Sequence, residues 1–283
     1  MDEFMKKTKQ EGHVSETQRL AANHEVFTHG LGGKLTLTPL DLSKPGLRVL
    51  DSACADGTWL RDLARHSSAA GTATYVGFDV NDEIFPSEKP HNVGSMDLVK
   101  HSVHDPYPEA WKSSFDLVHQ RLLIAAWASA PKVETLKRLV ELAKPGTGYV
   151  ESMELNVDPR TIPDDVPKYK RFYELMAEIM DAIGLGRYTV SNLKTLLADA
   201  GCVDVVETKT RYKVGAKTEL GLKEKSIDGQ VTAIPALAAV AKNVKTSFSE
   251  EELQTLENDA RKELTIVGGE FEMVTVWGRR AEA

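Results

Sequence analysis

The chain has 283 residues, of which 41% are hydrophobic and 27% charged, and its formal net charge is -7. These proportions are ordinary for a soluble globular protein, and the acidic balance argues against binding nucleic acid through a general basic surface. With no apolar signal core, no apolar stretch long enough to span a bilayer and only two cysteines, it is expected to be a cytoplasmic protein.

The first predicted element is a helix at 15–31, after a tail at 1–13 that we expect to be mobile. A capping-box pattern at 15–18 opens this helix, and glycines end it. We expect the helix to cover the ligand site, with His24 and Phe27 facing the substrate. In the alternative interpretation His24 is a packing residue of the core.

From residue 47 to residue 156, strand and helix patterns alternate. The strands are predicted at 48–52, 74–80, 98–103, 115–119 and 149–155, and the two clear helices at 58–66 and 132–144. Such alternation is typical of a parallel sheet with helices on both faces. Ligands of these sheets bind outside the carboxyl ends of the strands, so we expect the functional residues there.

A run of small residues follows the first predicted strand. Asp51 ends the apolar part of that strand, and Ala53, Ala55 and Gly57 then alternate with other residues before helical spacing begins at Trp59. Small side chains let the backbone approach a ligand closely, and a helix that begins there offers free N–H groups. The run is therefore either a nucleotide-binding turn or an ordinary strand–helix connection.

Acidic residues after two later strands favour the nucleotide-binding interpretation. Asp79 ends the second strand and follows Gly57 by roughly 20 positions, the spacing of a ribose-binding acid. Its carboxylate has acceptors for both ribose hydroxyls. His104 and Asp105 precede a proline and are predicted to lie at the end of the third strand. Three such signals in register are rarer by chance than any one of them.

Residues 157–188 interrupt the alternation. A predicted helix at 168–183 carries an apolar stripe that includes Phe172 and Met176. We expect this insertion to lie across the ligand crevice as a lid, with Phe172 and Met176 facing the substrate, since methionine suits an irregular apolar ligand. In the alternative interpretation the stripe belongs to the core.

The C-terminal part resumes the alternation. The predicted elements are a helix at 191–200, a strand at 203–212, a helical segment at 229–244 that Pro235 interrupts, a capped helix at 249–264 and a last strand at 271–278. The whole chain, 1–283, is predicted to form one domain with the cover helix and the lid as additions.

The segment 51–57 resembles the first motif of class I S-adenosylmethionine (SAM) methyltransferases, which usually reads acid-x-Gly-x-Gly-x-Gly. Here Ala53 and Ala55 stand where that family more often has glycine. Further segments resemble one branch of the family: fungal small-molecule methyltransferases of secondary metabolism, such as the gliotoxin thiol methyltransferase, and the related regulators. These segments are 115–121, 104–108, 144–149, 32–35, and Arg19–Leu20 with Asn23–His24.

The resemblance covers residues 15–156 well and residues 190–283 by topology only. It implies an α/β, Rossmann-like class I methyltransferase fold: a mainly parallel, seven-stranded sheet with helices on both faces and an antiparallel last strand beside the sixth. It also implies SAM as the cofactor and a small molecule as the substrate, which the apolar stripe of the predicted lid helix indicates to be largely apolar. We expect no metal, no nucleic acid and no membrane as partners, and a monomer, since no coiled-coil segment requires a second chain.

The resemblance also implies which residues bind the cofactor. Residues 52–57 would lie beside the methionine part of SAM. Asp51 would orient that turn or contact the amino group, and Asp79 would bind the ribose. His104 and Asp105 would border the adenine. The full predicted set is Arg19, Asp51, Ser52, Ala53, Ala55, Gly57, Asp79, His104, Asp105 and, near the methionine end, Gln120.

Methyl transfer from a sulfonium is an in-line displacement, so alignment and desolvation supply much of the catalysis. An amine or thiolate acceptor needs no enzymic base, whereas a hydroxyl acceptor benefits from one. By position the candidate bases are His24, His119 and Glu154, and Glu154, late in the fifth strand, is also predicted to face the substrate. No catalytic base is assigned, and the acceptor atom stays open between O, N and S.

Two other function classes stay open. One is an oxidoreductase that uses NAD or NADP, although small residues at 53, 55 and 57 fit the G-x-G-x-x-G turn of those enzymes poorly. The other is a regulator of secondary metabolism that binds SAM and acts through protein partners, or that uses the sulfonium charge without methyl transfer. Turnover of SAM to S-adenosylhomocysteine (SAH) separates an enzyme from these binding proteins.

Overall fold

A computed structural model of the chain describes residues 16–67, 71–87, 94–128 and 130–282. The predicted tail at 1–13 and the capping residue Ser15 lie outside the described residues. The α-helices are α1 (Glu16–Gly30), α2 (Thr58–His66), α3 (Lys132–Val140), α4 (Pro167–Ala182), α5 (Leu193–Asp199), α6 (Lys223–Val231), α7 (Ile234–Ala241) and α8 (Glu250–Ile266). The strands are β1 (Arg48–Ser52), β2 (Thr74–Asp79), β3 (Ser95–Lys100), β4 (Leu117–Arg121), β5 (Tyr149–Leu155), β6 (Cys202–Val214) and β7 (Gly269–Arg280).

The seven strands form one sheet in the order β3-β2-β1-β4-β5-β7-β6. β1 pairs in parallel with β2 and β4, β2 pairs with β3, and β4 pairs with β5. β7 runs antiparallel to β5. The N–H of Arg280, at the end of β7, donates to the carbonyl of Gly148, just before β5, and the N–H of Asn156, just after β5, donates to the carbonyl of Glu272, near the start of β7. This mainly parallel sheet, with its antiparallel last strand beside the sixth, confirms the predicted fold class.

The segment around β1 and α2 folds as its apolar pattern predicts. Val49 is buried in β1, and Trp59, Leu60 and Leu63 form the buried face of α2. A Cβ added at Gly77 in β2 would lie 2.9 Å from Cδ1 of Leu60, so the glycine allows α2 to pack closely on the sheet. This packing determines where the turn between β1 and α2 lies.

The third strand lies three residues earlier than its apolar pattern predicts. It spans Ser95–Lys100 instead of 98–103, because its pairing with β2 runs residue by residue and stops where β2 stops. Val103 is instead buried in the turn that follows. The prediction that His104 and Asp105 end the strand was therefore wrong, since both lie farther along that turn.

β4 and α3 also differ from prediction at their ends. β4 spans Leu117–Arg121 instead of 115–119, since Asp116, just before it, accepts the backbone N–H of Arg48 with its side chain. α3 ends at Val140 instead of residue 144. The carbonyls of Glu141 and Leu142 accept backbone N–H groups from residues 113–115, which lead into β4, instead of continuing the helix. In both cases a contact with a neighbouring segment ends the element.

Two predictions near the C-terminus are confirmed. Pro235 lies in the first turn of α7, where a backbone N–H has no partner within the helix, so the proline costs no hydrogen bond. The proline therefore marks the break between α6 and α7. Ser249 caps α8: its hydroxyl accepts the N–H of Glu252, and the side chain of Glu252 accepts the N–H of Ser249. This exchange satisfies two free N–H groups at the helix start.

The chain divides into two compact units. Of the described residues, one unit takes in those up to 33, 155–190 and 210–273, and the other takes in those within 34–154, 191–209 and from 274 onward. The first unit holds both α1, the predicted cover helix, and α4, the helix of the predicted lid. The organisation as one domain and the roles of cover and lid stay predictions.

Candidate functional site

The turn after β1 has an unusual backbone. Ala53 and Ala55 have φ angles of 56° and 50°, in the left-handed region that favours glycine, and Gly57 has a φ angle of 78°. The N–H of Cys54 donates to the carbonyl of Phe78 over 2.9 Å, which ties the turn to β2. Turns that contain left-handed residues gather backbone N–H groups into a concavity, a form of cradle that binds anionic groups.

Glycine in place of either alanine is expected to stabilise the protein slightly. A left-handed alanine costs roughly 1–2 kcal/mol, and glycine recovers this but loses about 0.5–1 kcal/mol because the unfolded chain gains entropy. We expect Ala53→Gly and Ala55→Gly each to raise the free energy of unfolding by about 0.5–1 kcal/mol in urea titrations. The control Ala239→Gly, at an exposed position of α7, should lower it by about 1 kcal/mol. Turn variants that lose as much stability as the control would contradict the left-handed backbone.

Asp79, the last residue of β2, holds the turn with its carboxylate. Its Oδ2 accepts the N–H of Ala55 over 3.0 Å, and its Oδ1 accepts the N–H of Asn81 over 2.9 Å. Burial raises the pKa of Asp79, these backbone hydrogen bonds oppose the rise, and the negative charge of Asp51 adds to it. Each carboxylate oxygen has two lone pairs, so Asp79 keeps acceptors for two ligand hydroxyls.

Polar side chains from three adjacent strands lie on one face of the sheet. Ser52 in β1 is opposite Gln120 in β4, which is opposite Ser152 in β5. Nε2 of Gln120 donates to Oγ of Ser152 over 2.8 Å, whereas the buried Oγ of Ser52 has no partner among the described residues. A buried hydroxyl without a partner costs free energy unless a ligand or water completes its hydrogen bonds. Ser52 is therefore suited to bind a polar ligand group beside the turn.

Glu154 is buried late in β5, where it bonds to the chain that follows β4. Its two carboxylate oxygens accept the N–H groups of Leu123 and Ile124, each over 3.2 Å, and Oγ of Ser152 donates to it over 3.3 Å. Burial raises the pKa of Glu154 to about 7, against the effect of these hydrogen bonds. A carboxyl group with this pKa is typical of functional sites. Here, however, each of its oxygens accepts a hydrogen bond from a backbone N–H.

Asp51 and His119 form a buried pair next to the turn. Nδ1 of His119 lies 2.8 Å from Oδ1 of Asp51, and the two side chains are only 2% and 5% exposed. The indole ring of Trp59 stacks on the imidazole ring, with centroids 3.7 Å apart and planes inclined by 6°. His119 is thus bonded and stacked within its unit, which favours a structural role over that of a free base.

His104 and Asp105 lie on an exposed turn beyond β3. Nε2 of His104 lies 3.0 Å from the carbonyl oxygen of Ala126, and Arg138 of α3 donates to the backbone carbonyls of both turn residues. These bonds hold the turn in the same unit as Asp79. Their contact with adenine stays a prediction.

The remaining predicted site residues belong to the other unit. Arg19, His24 and Phe27 lie on α1, and the last two are buried. Phe172 and Met176 are buried on α4. The contacts of these residues with cofactor and substrate stay predictions.

The sequence analysis did not single out Glu151, Ser152 or the stacking of Trp59. The register of the parallel strands places the first two, since Glu151 is opposite His119 and Ser152 is opposite Gln120. For Glu151 and Ser152, the signal that could have found them is the presence of polar residues within an otherwise apolar strand.

Comparison with known proteins identifies the family. A family model described as a methyltransferase domain matches residues 22–207, which is most of the chain. The chain belongs to this methyltransferase family. Among solved structures, the YcgJ protein of Bacillus subtilis has a similar fold, with a TM-score of 0.53 at 14% identity over 90% of this chain and 99% of that one.

Fungal relatives match the chain over nearly its whole length. Methyltransferase psoC of Aspergillus fumigatus is 37% identical over 99% of this chain and 100% of its own. N-methyltransferase gliN of the same organism is 33% identical over 94% of this chain and 93% of its own. N-methyltransferase sirN of Leptosphaeria maculans is 30% identical over 94% of this chain and 92% of its own.

As a member of this family, the protein is an enzyme that transfers a methyl group from SAM, which confirms the predicted activity and cofactor. The finding leaves no support for the oxidoreductase alternative. The residues of the turn fit SAM, since the unpartnered hydroxyl of Ser52, the spare acceptors of Asp79 and the left-handed turn lie together on adjacent strands.

Proposed function

We propose that this enzyme methylates a nitrogen atom of a small, largely apolar secondary metabolite. The proposal is carried by the similarity to gliN and sirN, both of which are N-methyltransferases. The sequence pattern alone left nitrogen, oxygen and sulfur equally open. The two relatives support nitrogen.

The contacts of the candidate bases bear on an oxygen acceptor. SAM, when bound, supplies a methyl group on a positively charged sulfur, which is already an activated leaving group. His119 is engaged by Asp51 and Trp59, and both oxygens of Glu154 are engaged by backbone N–H groups. The pairing and stacking of His119 make it a poor candidate for removing a proton from a hydroxyl, which disfavours an oxygen acceptor.

We propose that the turn at 52–57 and Asp79 hold SAM. The N–H groups of the turn receive the carboxylate of the methionine part, and Oγ of Ser52 bonds beside it. Asp79 accepts the ribose hydroxyls with the lone pairs that Ala55 and Asn81 leave free. The other members of the proposed set are Arg19, Asp51, Ala53, Gly57, His104, Asp105 and Gln120.

For the substrate, we propose apolar contacts from Phe27, Phe172 and Met176, together with polar contacts from His24 and Glu154. We also propose a cytoplasmic monomer. Within the described ranges, no helix combines the length and the apolar character needed to cross a bilayer.

Deuterated SAM tests the acceptor atom. The purified protein is incubated with SAM carrying a trideuterated methyl group and three acceptors of matched skeleton: 2-phenylethylamine, 2-phenylethanol and 2-phenylethanethiol. We expect mass spectrometry to find the label on the amine at least about tenfold faster than on the other two, a difference of about 1.4 kcal/mol in the barrier. Reactions without enzyme correct for spontaneous methylation of the thiol. Enzymic labelling of the alcohol or the thiol alone would refute the nitrogen acceptor.

A further inference from the structure

Three ionisable side chains lie side by side across the middle of the sheet. Asp51 on β1 is opposite His119 on β4, and His119 is opposite Glu151 on β5. Residues that are opposite each other in neighbouring parallel strands point to the same face, so the three side chains form a row. All are buried, with exposures of 4%, 2% and 2%. A buried row of this kind is costly unless each member has partners.

This row is bonded to the irregular segment 35–38, which precedes β1. Oε2 of Glu151 accepts the N–H of Leu37 over 2.7 Å and the hydroxyl of Thr36 over 3.1 Å. The indole of Trp59, which stacks on His119, donates Nε1–H to the carbonyl of Leu35 over 2.8 Å. The segment is therefore held at two points, through Glu151 and through Trp59.

Electrostatics links the same groups. Burial raises the pKa of Glu151, and the charge of His119 and the hydrogen bonds from the segment 35–38 oppose this rise. His119 thus has an acid on each side: Asp51 at hydrogen-bonding distance and Glu151 opposite it on the next strand. A change at one acid therefore changes the interactions of the imidazole with the other.

We propose that His119 is a positioning residue that couples cofactor binding at the turn to the order of the segment 35–38. The coupling rests on the cofactor site proposed above. Asp51 stands at the start of the turn and Trp59 at its end, so a ligand that binds the turn acts on both contacts of His119. Coupling between two sites is reciprocal, so loosening the segment also weakens cofactor binding.

Hydrogen exchange of the full chain tests the coupling. Backbone amides in peptides that contain residues 35–38 are followed by mass spectrometry with and without saturating SAH. Coupling free energies of this kind correspond to roughly 5- to 150-fold, so we expect SAH to slow exchange in the segment by at least about fivefold. Calorimetry that shows SAH binding while exchange at 35–38 stays unchanged would overturn the coupling and leave the cofactor site intact. Calorimetry that shows no SAH binding would overturn the cofactor site itself.

A distant variant tests reciprocity without touching the turn. Thr36→Val removes the hydroxyl that donates to Glu151, and we expect it to weaken SAH binding by about three- to tenfold. The matched control is Thr135→Val in α3, whose hydroxyl donates to the carbonyl of Pro131 on the surface. Equal SAH affinities in these two variants would overturn the proposal.

Two substitutions of His119 separate its contacts. His119→Phe keeps a ring against Trp59 and removes the bond to Asp51, whereas His119→Asn keeps a donor for Asp51 and removes the stacked ring. We expect SAH to slow exchange at 35–38 by less than about twofold in either variant, because the coupling needs both contacts. Slowing of wild-type size in either variant would overturn the role of His119.

Discussion

Replacing Asp79 by alanine is expected to weaken SAH binding by about 100-fold or more. The carboxylate holds the turn through the N–H of Ala55, and it offers charged acceptors to two ligand hydroxyls. Hydrogen bonds to charged groups contribute roughly 1.5–3 kcal/mol each, so the loss of two is worth roughly 3–6 kcal/mol. This corresponds to about two to four powers of ten in Kd, which isothermal titration calorimetry measures directly.

Asp82 offers a matched control for this variant. It is an exposed acid close to Asp79, and it pairs with Lys100 over 2.9 Å. We expect Asp82→Ala to change the Kd for SAH by less than about twofold, because surface ion pairs contribute little. Asp79→Asn keeps one acceptor oxygen, and its Kd should fall between wild type and Asp79→Ala. Equal Kd values for Asp79→Ala and Asp82→Ala would rule out the ribose-binding role of Asp79.

Glu154 is expected to make the protein less stable as the pH rises. Its pKa is about 7 in the folded protein, against an ordinary value of 4.5 for a glutamate side chain. Between these two values the folded state keeps the proton and the unfolded state releases it, so the free energy of unfolding falls with rising pH. The full effect is roughly 3 kcal/mol, at about 1.4 kcal/mol per pH unit; it is absent below about pH 4.5 and complete above about pH 7.

Glu154→Gln removes this titration. The amide accepts with one oxygen only, so the N–H of Leu123 or Ile124 loses its partner at a cost of roughly 1–3 kcal/mol, independent of pH. Relative to wild type, the variant should therefore gain roughly 3 kcal/mol in free energy of unfolding between pH 4.5 and pH 8. Urea titrations at the two pH values measure this, with Glu134→Gln at an exposed position of α3 as the control. If the difference between Glu154→Gln and wild type is the same at both pH values, Glu154 does not titrate near neutrality.

Elements that depend on the local chain could be predicted closely from the sequence. The bounds of β1, α2 and β5 agree with the predicted ones, because apolar spacing and the flanking turns determine them. The cap at Ser249 and the break at Pro235 are equally local. β3 and β4 were misplaced by two or three residues, because pairing with a neighbouring strand decides their ends.

The candidate site shows the same division. Asp79 could be found because a strand-end acid at a set distance from a small-residue turn is a local signal. The contacts of Asp51, His119 and Glu151 could not be found, because they depend on the register of three strands. The burial of Glu154 could not be predicted either, because the residues that bond to its carboxylate, Leu123 and Ile124, lie 31 and 30 positions away in sequence.

The turn after β1 is proposed to be the binding site for SAM. Isothermal titration calorimetry of the wild-type protein with SAH, with NAD and NADP as controls, tests it most directly. We predict saturable binding of one SAH per chain and no measurable heat with either nicotinamide nucleotide. Absence of SAH binding, with or without binding of NAD or NADP, would contradict it.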